Sequence, residues 1–185
     1  MKVTYNWLKE MVDINITPEE LAKKLTSAGM EVEEIIYQNK HLHDVVVGKI
    51  LKIDRHPNAD KLVVCQVDIG GKITQIITAA TNVFEGALVP VAIDGAHLCG
   101  DIKIKKSKLR GEPSDGMFCS IAELGLTLHD MPGAIEDGIL ILGDVGLGDI
   151  PLGADLKEAL GLEDKVVEFE ITSNRPDCLS VIGLA

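Results

Sequence analysis

The stretch His56-Pro57-Asn58-Ala59-Asp60-Lys61-Leu62 decides the fold, because it is a turn-rich segment between two apolar runs. Its proline fixes one backbone angle, and the Asn and Asp side chains can hydrogen-bond to nearby amides. Val and Ile dominate the flanking runs, Val45 to Ile53 and Leu62 to Asp68, and this composition favours strands. The stretch therefore predicts a tight, structured connection between two strands.

Outward from this turn, the alternation of short strands and turn residues continues to about residue 142. The further predicted strands are Lys72 to Ala79, Leu88 to Ile93, Ile102 to Lys105 and Ile139 to Leu142. Gly70-Gly71 and Asp94-Gly95 are hairpin-type turns, and Ser120 with Glu123 predicts the cap of one short helix. About five strands in a closed or nearly closed barrel with one helix is the arrangement of an OB-fold.

The first forty residues have a different pattern, which is helical at the start. Trp7, Leu8, Met11 and Val12 recur at the spacing of one helix face. Thr17-Pro18-Glu19-Glu20 then predicts a second helix, because it combines a capping box with a proline in the first turn. A strand is predicted from about Glu31 to Tyr37.

The pattern changes again at Pro151, where Asp155 predicts the cap of a short helix and Val166 to Ile171 predicts a strand. Neither terminal segment is large enough to bury a core alone. We therefore predict an α+β fold in which 1–40 and 151–185 form one small discontinuous domain, with the strands at 32–37 and 166–171 in one sheet. A five-stranded OB-fold β-barrel, 41–150, is inserted between them. The apolar last residues predict a front piece, truncated at its C-terminal end.

Composition and charge limit the classes of function. The hydrophobic share of 46% is that of a globular protein, while the net charge of −11 argues against general nucleic-acid binding. The exception is a group of five cations with no acid between them: Lys103, Lys105, Lys106, Lys108 and Arg110. Such a group is either a solvated strand edge that resists aggregation or a set of phosphate contacts. The sequence alone leaves both interpretations open.

The sequence gives little support for a metal site, a catalytic cysteine or a membrane segment. The four cysteines form no Cys-x-x-Cys pair, which is typical of reduced thiols in a cytoplasmic protein and not of a zinc site. His41 and His43 have no third ligand nearby, and Cys119 has no histidine at a catalytic spacing. No signal peptide and no apolar run of 18 residues is present, so we expect a cytoplasmic protein without a membrane segment.

Several ordered stretches together resemble the tRNA-binding OB module that aminoacyl-tRNA synthetases share with free-standing tRNA-binding proteins. The matching stretches are His56 to Leu62, Val67 to Gly70, Ala79 to Asn82, Gly86 with Val89 to Ala92, Gly95-Ala96 and Lys108 to Ser120, ending at Glu123 to Leu126. The segments before and after this module make the resemblance more specific. Asn6 to Lys9, Leu21 to Glu34 and Phe169 to Cys178 are similar to the N-terminal part of bacterial phenylalanyl-tRNA synthetase beta subunits.

The resemblance implies several properties of a longer parent protein. The parent would pair with an alpha subunit as an α2β2 heterotetramer, and the alpha subunit would use ATP and Mg²⁺ to activate phenylalanine. This chain would hold no catalytic residue, metal or cofactor of its own. It would supply docking and an auxiliary tRNA surface to the ligase that charges tRNA(Phe).

The predicted tRNA-binding residues are polar side chains in the matching stretches and in the cationic group. They are Asn58, Lys61, Asn82, Lys103, Lys105, Lys106, Lys108, Arg110, Ser114 and Ser120. A purely structural interpretation remains for several of them. Ser120 can cap a helix, and the turn at Asn58 can be a loop without a ligand. An alternative function is a structural module whose barrel packs on other synthetase domains without touching RNA.

Overall fold

The computed structural model describes residues 1–185, and the chain divides into two compact units. The first unit joins Met1–Lys40 to Gly161–Ala185, and the second is His41–Leu160. Antiparallel strands dominate and helices are few, so the predicted α+β class is confirmed.

The chain forms eleven strands and four α-helices. The strands are β1 Lys2–Thr4, β2 Glu31–Tyr37, β3 His43–Arg55, β4 Val63–Asp68, β5 Ile73–Thr78, β6 Leu88–Leu98, β7 Ile102–Lys103, β8 Ser107–Leu109, β9 Glu112–Ser114, β10 Gly116–Phe118 and β11 Lys165–Glu170. The α-helices are α1 Tyr5–Met11, α2 Pro18–Ser27, α3 Leu156–Ala159 and α4 Val181–Leu184. Two 3-10 helices are Leu142–Val145 and Pro176–Leu179.

The first unit contains a three-stranded antiparallel sheet in the order β1-β11-β2. Val167 lies opposite Ile35 in its register, so the predicted pairing of the two distant segments is confirmed. The pattern analysis did not find β1, whose three residues pair with the other side of β11. The sheet thus joins the two ends of the chain through β11.

Helix α2 begins where its predicted cap places it. The Thr17 hydroxyl accepts a hydrogen bond from the Glu20 N–H, and the Glu20 carboxylate accepts one from the Thr17 N–H. On α1, Leu8 is buried, whereas Trp7 and Met11 are about half exposed. The core of this unit is Val3, Leu8, Val167, Phe169, Cys178, Val181 and Leu184.

The second unit contains a sheet in the order β10-β6-β3-β4-β5, with β7 paired to β6 and a separate β8–β9 hairpin. The edge strand β5 approaches the residue just before β10, since the Asp115 N–H donates to the Gln75 carbonyl at 2.9 Å. No ladder of paired residues joins β5 to β10, and a closed five-stranded barrel is therefore not confirmed. The core is Ile50, Cys65, Val67, Ile76, Ala87, Val89, Val91, Phe118, Ile139 and Ile141.

Three local predictions in this unit are wrong. Ile139 to Leu142 forms no ladder, although Leu140 bonds to the Cys119 carbonyl. Asp94-Gly95 lies inside β6, which continues to Leu98, and Gly95 takes a φ of +99° there. The segment after Ser120 is a series of turns and not a helix, although the predicted Ser120–Glu123 cap is present.

The contacts place residues 151–160 in the second unit, ten residues beyond the boundary estimated from the sequence. The Val47 N–H donates to the Ala154 carbonyl at 3.0 Å, and the Gly153 N–H donates to the Val47 carbonyl at 2.8 Å. Gly153 also approaches the backbone at Gly70 so closely that a Cβ on it would lie 2.7 Å from the Ile69 oxygen. The change in sequence pattern at Pro151 is therefore a local turn and not a boundary between the units.

Candidate nucleic-acid interface

The β8–β9 hairpin carries two of the predicted cations, Lys108 and Arg110. Its two-residue turn is Arg110-Gly111, with φ values of +51° and +100°. Positive φ at both positions is the pattern of a type I′ turn, whose twist matches that of the flanking strands. The turn holds the Arg110 backbone at the tip of the hairpin, where its side chain is exposed.

The turn after β3 lies directly against this hairpin. Buried His56 contacts the Leu109 carbonyl through its Nε2 at 3.0 Å, and the Asn58 N–H donates to His56 Nδ1 at 3.1 Å. The Asn58 amide then donates to the Arg110 carbonyl at 3.2 Å. Two stretches about fifty residues apart in the sequence are therefore joined by side chains of the first and carbonyls of the second.

A groove of about 510 Å³ lies between β5, β10 and the segment that leads into the hairpin. Exposed Lys103 and Lys105 line it together. Apolar side chains form much of its remaining wall, among them Ile77, Leu109 and Met117. The two lysines can contact phosphates there, whereas the wall lacks the aromatic side chains on which unstacked bases usually lie in single-stranded RNA sites.

Lys106 faces a different environment from its neighbours. Its ammonium group lies 3.6 Å from the Asp115 carboxylate, and its backbone N–H donates to the Asp94 carboxylate. Both acids line a second cavity of about 240 Å³ with Lys106 and Lys72. This arrangement follows from the alternation of an extended segment, in which Ile104 is buried and successive side chains diverge. The five cations therefore do not form one continuous face.

The other cations that were predicted to bind tRNA form no ion pairs within the protein. Lys61, Lys103, Lys105, Lys108 and Arg110 are exposed, and none has a carboxylate within 4.0 Å. A cation without a partner carboxylate can contact an RNA phosphate without first breaking an ion pair. Among the predicted binding residues, the unpaired positive charge thus lies on the hairpin, the groove and the turn before β4.

The predicted polar residues Asn82, Ser114 and Ser120 form hydrogen bonds within the protein. The Asn82 amide donates to the Ile139 carbonyl at 2.8 Å and accepts from the Ile139 N–H at 3.2 Å. Buried Ser114 accepts from the Ile77 N–H and donates to the Gly116 carbonyl. Ser120 donates to Glu123 from its hydroxyl and its N–H. These contacts give all three a structural role.

Pattern analysis missed the apolar wall of the groove. Leu109 and Met117 belong to stretches that were singled out for their polar members, and Ile77 was counted only as a strand residue. A signal was available, because Leu109 lies in a run of otherwise polar and charged residues, where an apolar side chain has no predicted core to enter.

The thiols and carboxylates give no sign of a catalytic or metal site. All four cysteines are free, and burial raises the pKa of Cys119 to about 12 and that of Cys65 to about 11, so neither is a thiolate at neutral pH. No group of three or more His, Cys, Asp or Glu side chains is arranged to hold a metal ion. None of the helices has the length and apolar composition needed to cross a bilayer.

Comparison with known proteins relates the second unit to a family. The sequence model of the family described as "Putative tRNA binding domain" matches residues 45–139, about half of the chain. The matched residues include the turn at His56, the groove and the hairpin.

Curated relatives match the whole chain. The phenylalanine–tRNA ligase beta subunit of Clostridium tetani is 54% identical over 186 residues, and that of Clostridium acetobutylicum is 50% identical over the same length. Each alignment covers 100% of this chain but 22% of the relative, so the chain spans about a fifth of the length of these proteins.

A solved structure of a MetRS related protein from Pyrococcus horikoshii gives a TM-score of 0.39 at 17% identity, covering 76% of this chain and 97% of that one. A score this low carries no weight for the fold.

Proposed function

This chain belongs to the tRNA-binding domain family, and from that membership we propose that its second unit is an auxiliary tRNA-binding module of a phenylalanine–tRNA ligase beta subunit. One observation carries the proposal. In a chain of net charge −11, Lys103 and Lys105 line one groove and Lys108 and Arg110 lie on the adjoining hairpin, all without a carboxylate in ion-pair range. Short-range positive charge of this kind can attract phosphate despite the acidic surroundings.

The architecture we propose for this unit is an OB-like barrel that its ladders leave partly open, inserted into the discontinuous first unit. Two contacts between β5 and the segment that leads from β9 into β10 support it: the hydrogen bond from the Asp115 N–H to the Gln75 carbonyl, and the bond from the Ile77 N–H to the Ser114 hydroxyl. OB-folds bind oligonucleotides on the face of their second and third strands and in nearby loops.

The setting we propose is the N-terminal part of the beta subunit of a cytoplasmic ligase that joins phenylalanine to tRNA(Phe). The whole enzyme would be an α2β2 heterotetramer that uses ATP and Mg²⁺ at a site outside this chain. The support is the near 50% identity to named beta subunits along the full length of the chain. Catalysis would then belong to other parts of the enzyme, and this chain would contribute binding.

A titration of the 185-residue chain with tRNA(Phe) at 50 and 150 mM salt tests the proposal. The double variant Lys103→Ala/Lys105→Ala should bind more weakly, and the slope of log K against log salt should fall by about 1 for each lysine removed. The matched control is Lys72→Ala/Lys106→Ala, which also removes two lysines but from the cavity that contains Asp94 and Asp115.

Two outcomes would refute RNA binding at this groove. One is the absence of binding at 50 mM salt, and the other is an equal loss of affinity in both double variants. Either result would favour the alternative function, in which the second unit packs on other synthetase domains without contacting RNA.

An exposed apolar surface on the first unit favours protein contact as a second function. Leu179 and Ile182 are 64% and 77% exposed, and Trp7 and Met11 lie one turn apart on α1 with about half of their surfaces accessible. Apolar patches of this kind are typical of interfaces. We propose that this surface packs on another part of the beta subunit, since the relatives are more than four times longer than the chain.

The change Ile182→Glu tests this second function. It should lower the melting temperature of the full-length subunit while leaving that of the 185-residue chain unchanged. Ile73→Glu, at an exposed apolar position of the second unit, is the control. An equal effect of Ile182→Glu on both proteins would contradict the docking surface.

A further inference from the structure

We propose that His56 and Asn58 are positioning residues, which hold the basic hairpin against the second unit in the orientation that meets RNA. Neither side chain needs to touch RNA for this role, because His56 Nε2 and the Asn58 amide nitrogen are used on the hairpin carbonyls. The inference rests on the proposed function for its RNA measurement, but the contact itself is a property of the protein.

The hydrogen bonds assign the tautomer of His56. Its Nδ1 accepts the Asn58 N–H at 3.1 Å and therefore carries no proton. In a neutral ring the proton must then be on Nε2, which lies 3.0 Å from the Leu109 carbonyl and donates to it. One imidazole thus links the backbone of its own turn to the hairpin, and its burial excludes water that would compete for both bonds.

Asn58 adds a second bond one residue further along the hairpin. Its side-chain amide donates to the Arg110 carbonyl at 3.2 Å, and a Cβ on Gly111 would lie 3.7 Å from the same nitrogen, an ordinary contact. Consecutive carbonyls at positions 109 and 110 are therefore held by two residues of one turn. The two peptide units that flank Arg110 are each held by one hydrogen bond.

The hairpin needs such contacts, because two strands of three residues are not stable alone in water. Its β9 end is held by Gln75, whose amide donates to the Pro113 carbonyl at 2.8 Å, and by Ser114, which binds the Ile77 N–H. The end that contains Arg110 has no such contact with β5. His56 and Asn58 supply it, and without them Arg110 and Lys108 would lose their fixed position beside the groove.

Two substitutions of His56 separate the long-range bond from the local one. In His56→Asn the amide reaches the position of Nδ1 and can still accept the Asn58 N–H, but nothing reaches Leu109. In His56→Gln the amide nitrogen reaches the position of Nε2 and can still donate to the Leu109 carbonyl. The control is His129→Asn, an exposed histidine in a distant turn.

The experiment measures amide hydrogen exchange of residues 107–114 and tRNA(Phe) affinity in the full chain. His56→Asn and Asn58→Ala should each raise hairpin exchange by about five- to tenfold, as expected for the loss of one hydrogen bond, and should weaken tRNA binding by a similar factor. His56→Gln and His129→Asn should stay near wild type in both measurements. The imidazole ¹⁵N spectrum of wild type should place the proton on Nε2.

The outcomes distinguish this inference from the proposed function. Unchanged hairpin exchange in a folded His56→Asn variant, or a proton on Nδ1, would overturn the positioning role. Faster exchange with unchanged affinity would also overturn it, while a loss of affinity in Lys103→Ala/Lys105→Ala would still support RNA binding. If wild type binds no tRNA, the proposed function fails and the positioning role with it, while exchange still reports whether His56 holds the hairpin.

Discussion

At the scale of single residues, the position of a polar side chain in the fold decides its role more than its chemical type does. Asn58, Asn82 and Ser114 were all candidates for RNA contact, yet the side chain of each makes a hydrogen bond to a backbone group of this chain. A side-chain amide that both donates to and accepts from one residue imitates a β-bridge, and this is how Asn82 secures Ile139 where no strand forms. The sequence marks such positions as unusual without showing which way they point.

Replacement of Asn82 should therefore reduce stability and not only RNA affinity. Asn82→Ala leaves the N–H and the carbonyl of Ile139 without their partner in a half-buried site, so we expect a loss of about 1–3 kcal/mol in the free energy of unfolding. Urea denaturation measures it. Asn15→Ala, at an exposed loop position, is the control and should change little. Equal midpoints for the two variants would contradict the bridging role.

The pair formed by Arg175 and Asp177 should make stability depend on pH in the acid range. The Arg175 guanidinium, 2.8 Å away, lowers the pKa of Asp177 from its ordinary value near 3.8 to about 2. A lowered folded-state pKa stabilises the protein above the unfolded-state value, and this contribution disappears as the pH falls from about 4 to 2. Because both side chains are about half exposed, salt should weaken the effect.

Melting temperatures between pH 2 and 5 test this linkage. Asp177→Asn should melt below wild type at pH 5, and the difference should shrink toward pH 2 and at high salt. Asp13→Asn, an exposed carboxylate without an ion pair, should follow the wild-type curve throughout. A constant difference between Asp177→Asn and wild type across this range would show that the pair does not titrate as stated.

At the scale of elements, periodicity identified strands but could not choose their partners. Ile139 to Leu142 has the apolar composition of a strand, yet its backbone meets Asn82 and Cys119 and not a ladder. Asp94-Gly95 looks like a hairpin turn, but the chain passes through it inside β6 because β3 and β7 pair on either side of it. Both errors have the same cause, since pairing partners come from tertiary packing, which a local pattern does not contain.

The turn of the β8–β9 hairpin allows charge to be separated from structure. Arg110 has a φ of +51°, which is unfavourable for a long side chain but is tolerated by Asn. Arg110→Asn should therefore keep or raise stability, by up to about 1 kcal/mol, while lowering tRNA affinity. Gly111→Ala should cost about 1 kcal/mol or more through backbone strain at a φ of +100°.

Urea denaturation and tRNA titration of both turn variants make the comparison. An Arg110→Asn protein that loses stability as Gly111→Ala does would show that the turn is not type I′. An Arg110→Asn protein with unchanged tRNA affinity would remove Arg110 from the binding surface.

At the scale of the whole molecule, the pairing of distant segments was predictable, whereas their limits were not. Neither terminal segment can bury a core alone, and this argument correctly brought β2 and β11 together. The end of the second unit was placed ten residues too early, because the turn at Pro151 looks like a linker. The groove could not be foreseen either, since it depends on which side of an extended segment each lysine takes.

The second unit should fold independently of the first. Residues 41–160 alone should unfold cooperatively, while 41–150 should be less stable by about 3 kcal/mol or more, since it loses fully buried Leu156 and the bonds between Val47 and residues 153 and 154. Urea denaturation of both fragments measures the difference, and 1–40 alone should show no cooperative transition. Equal stability of the two longer fragments would return residues 151–160 to the other unit, because their contacts with β3 would then contribute nothing.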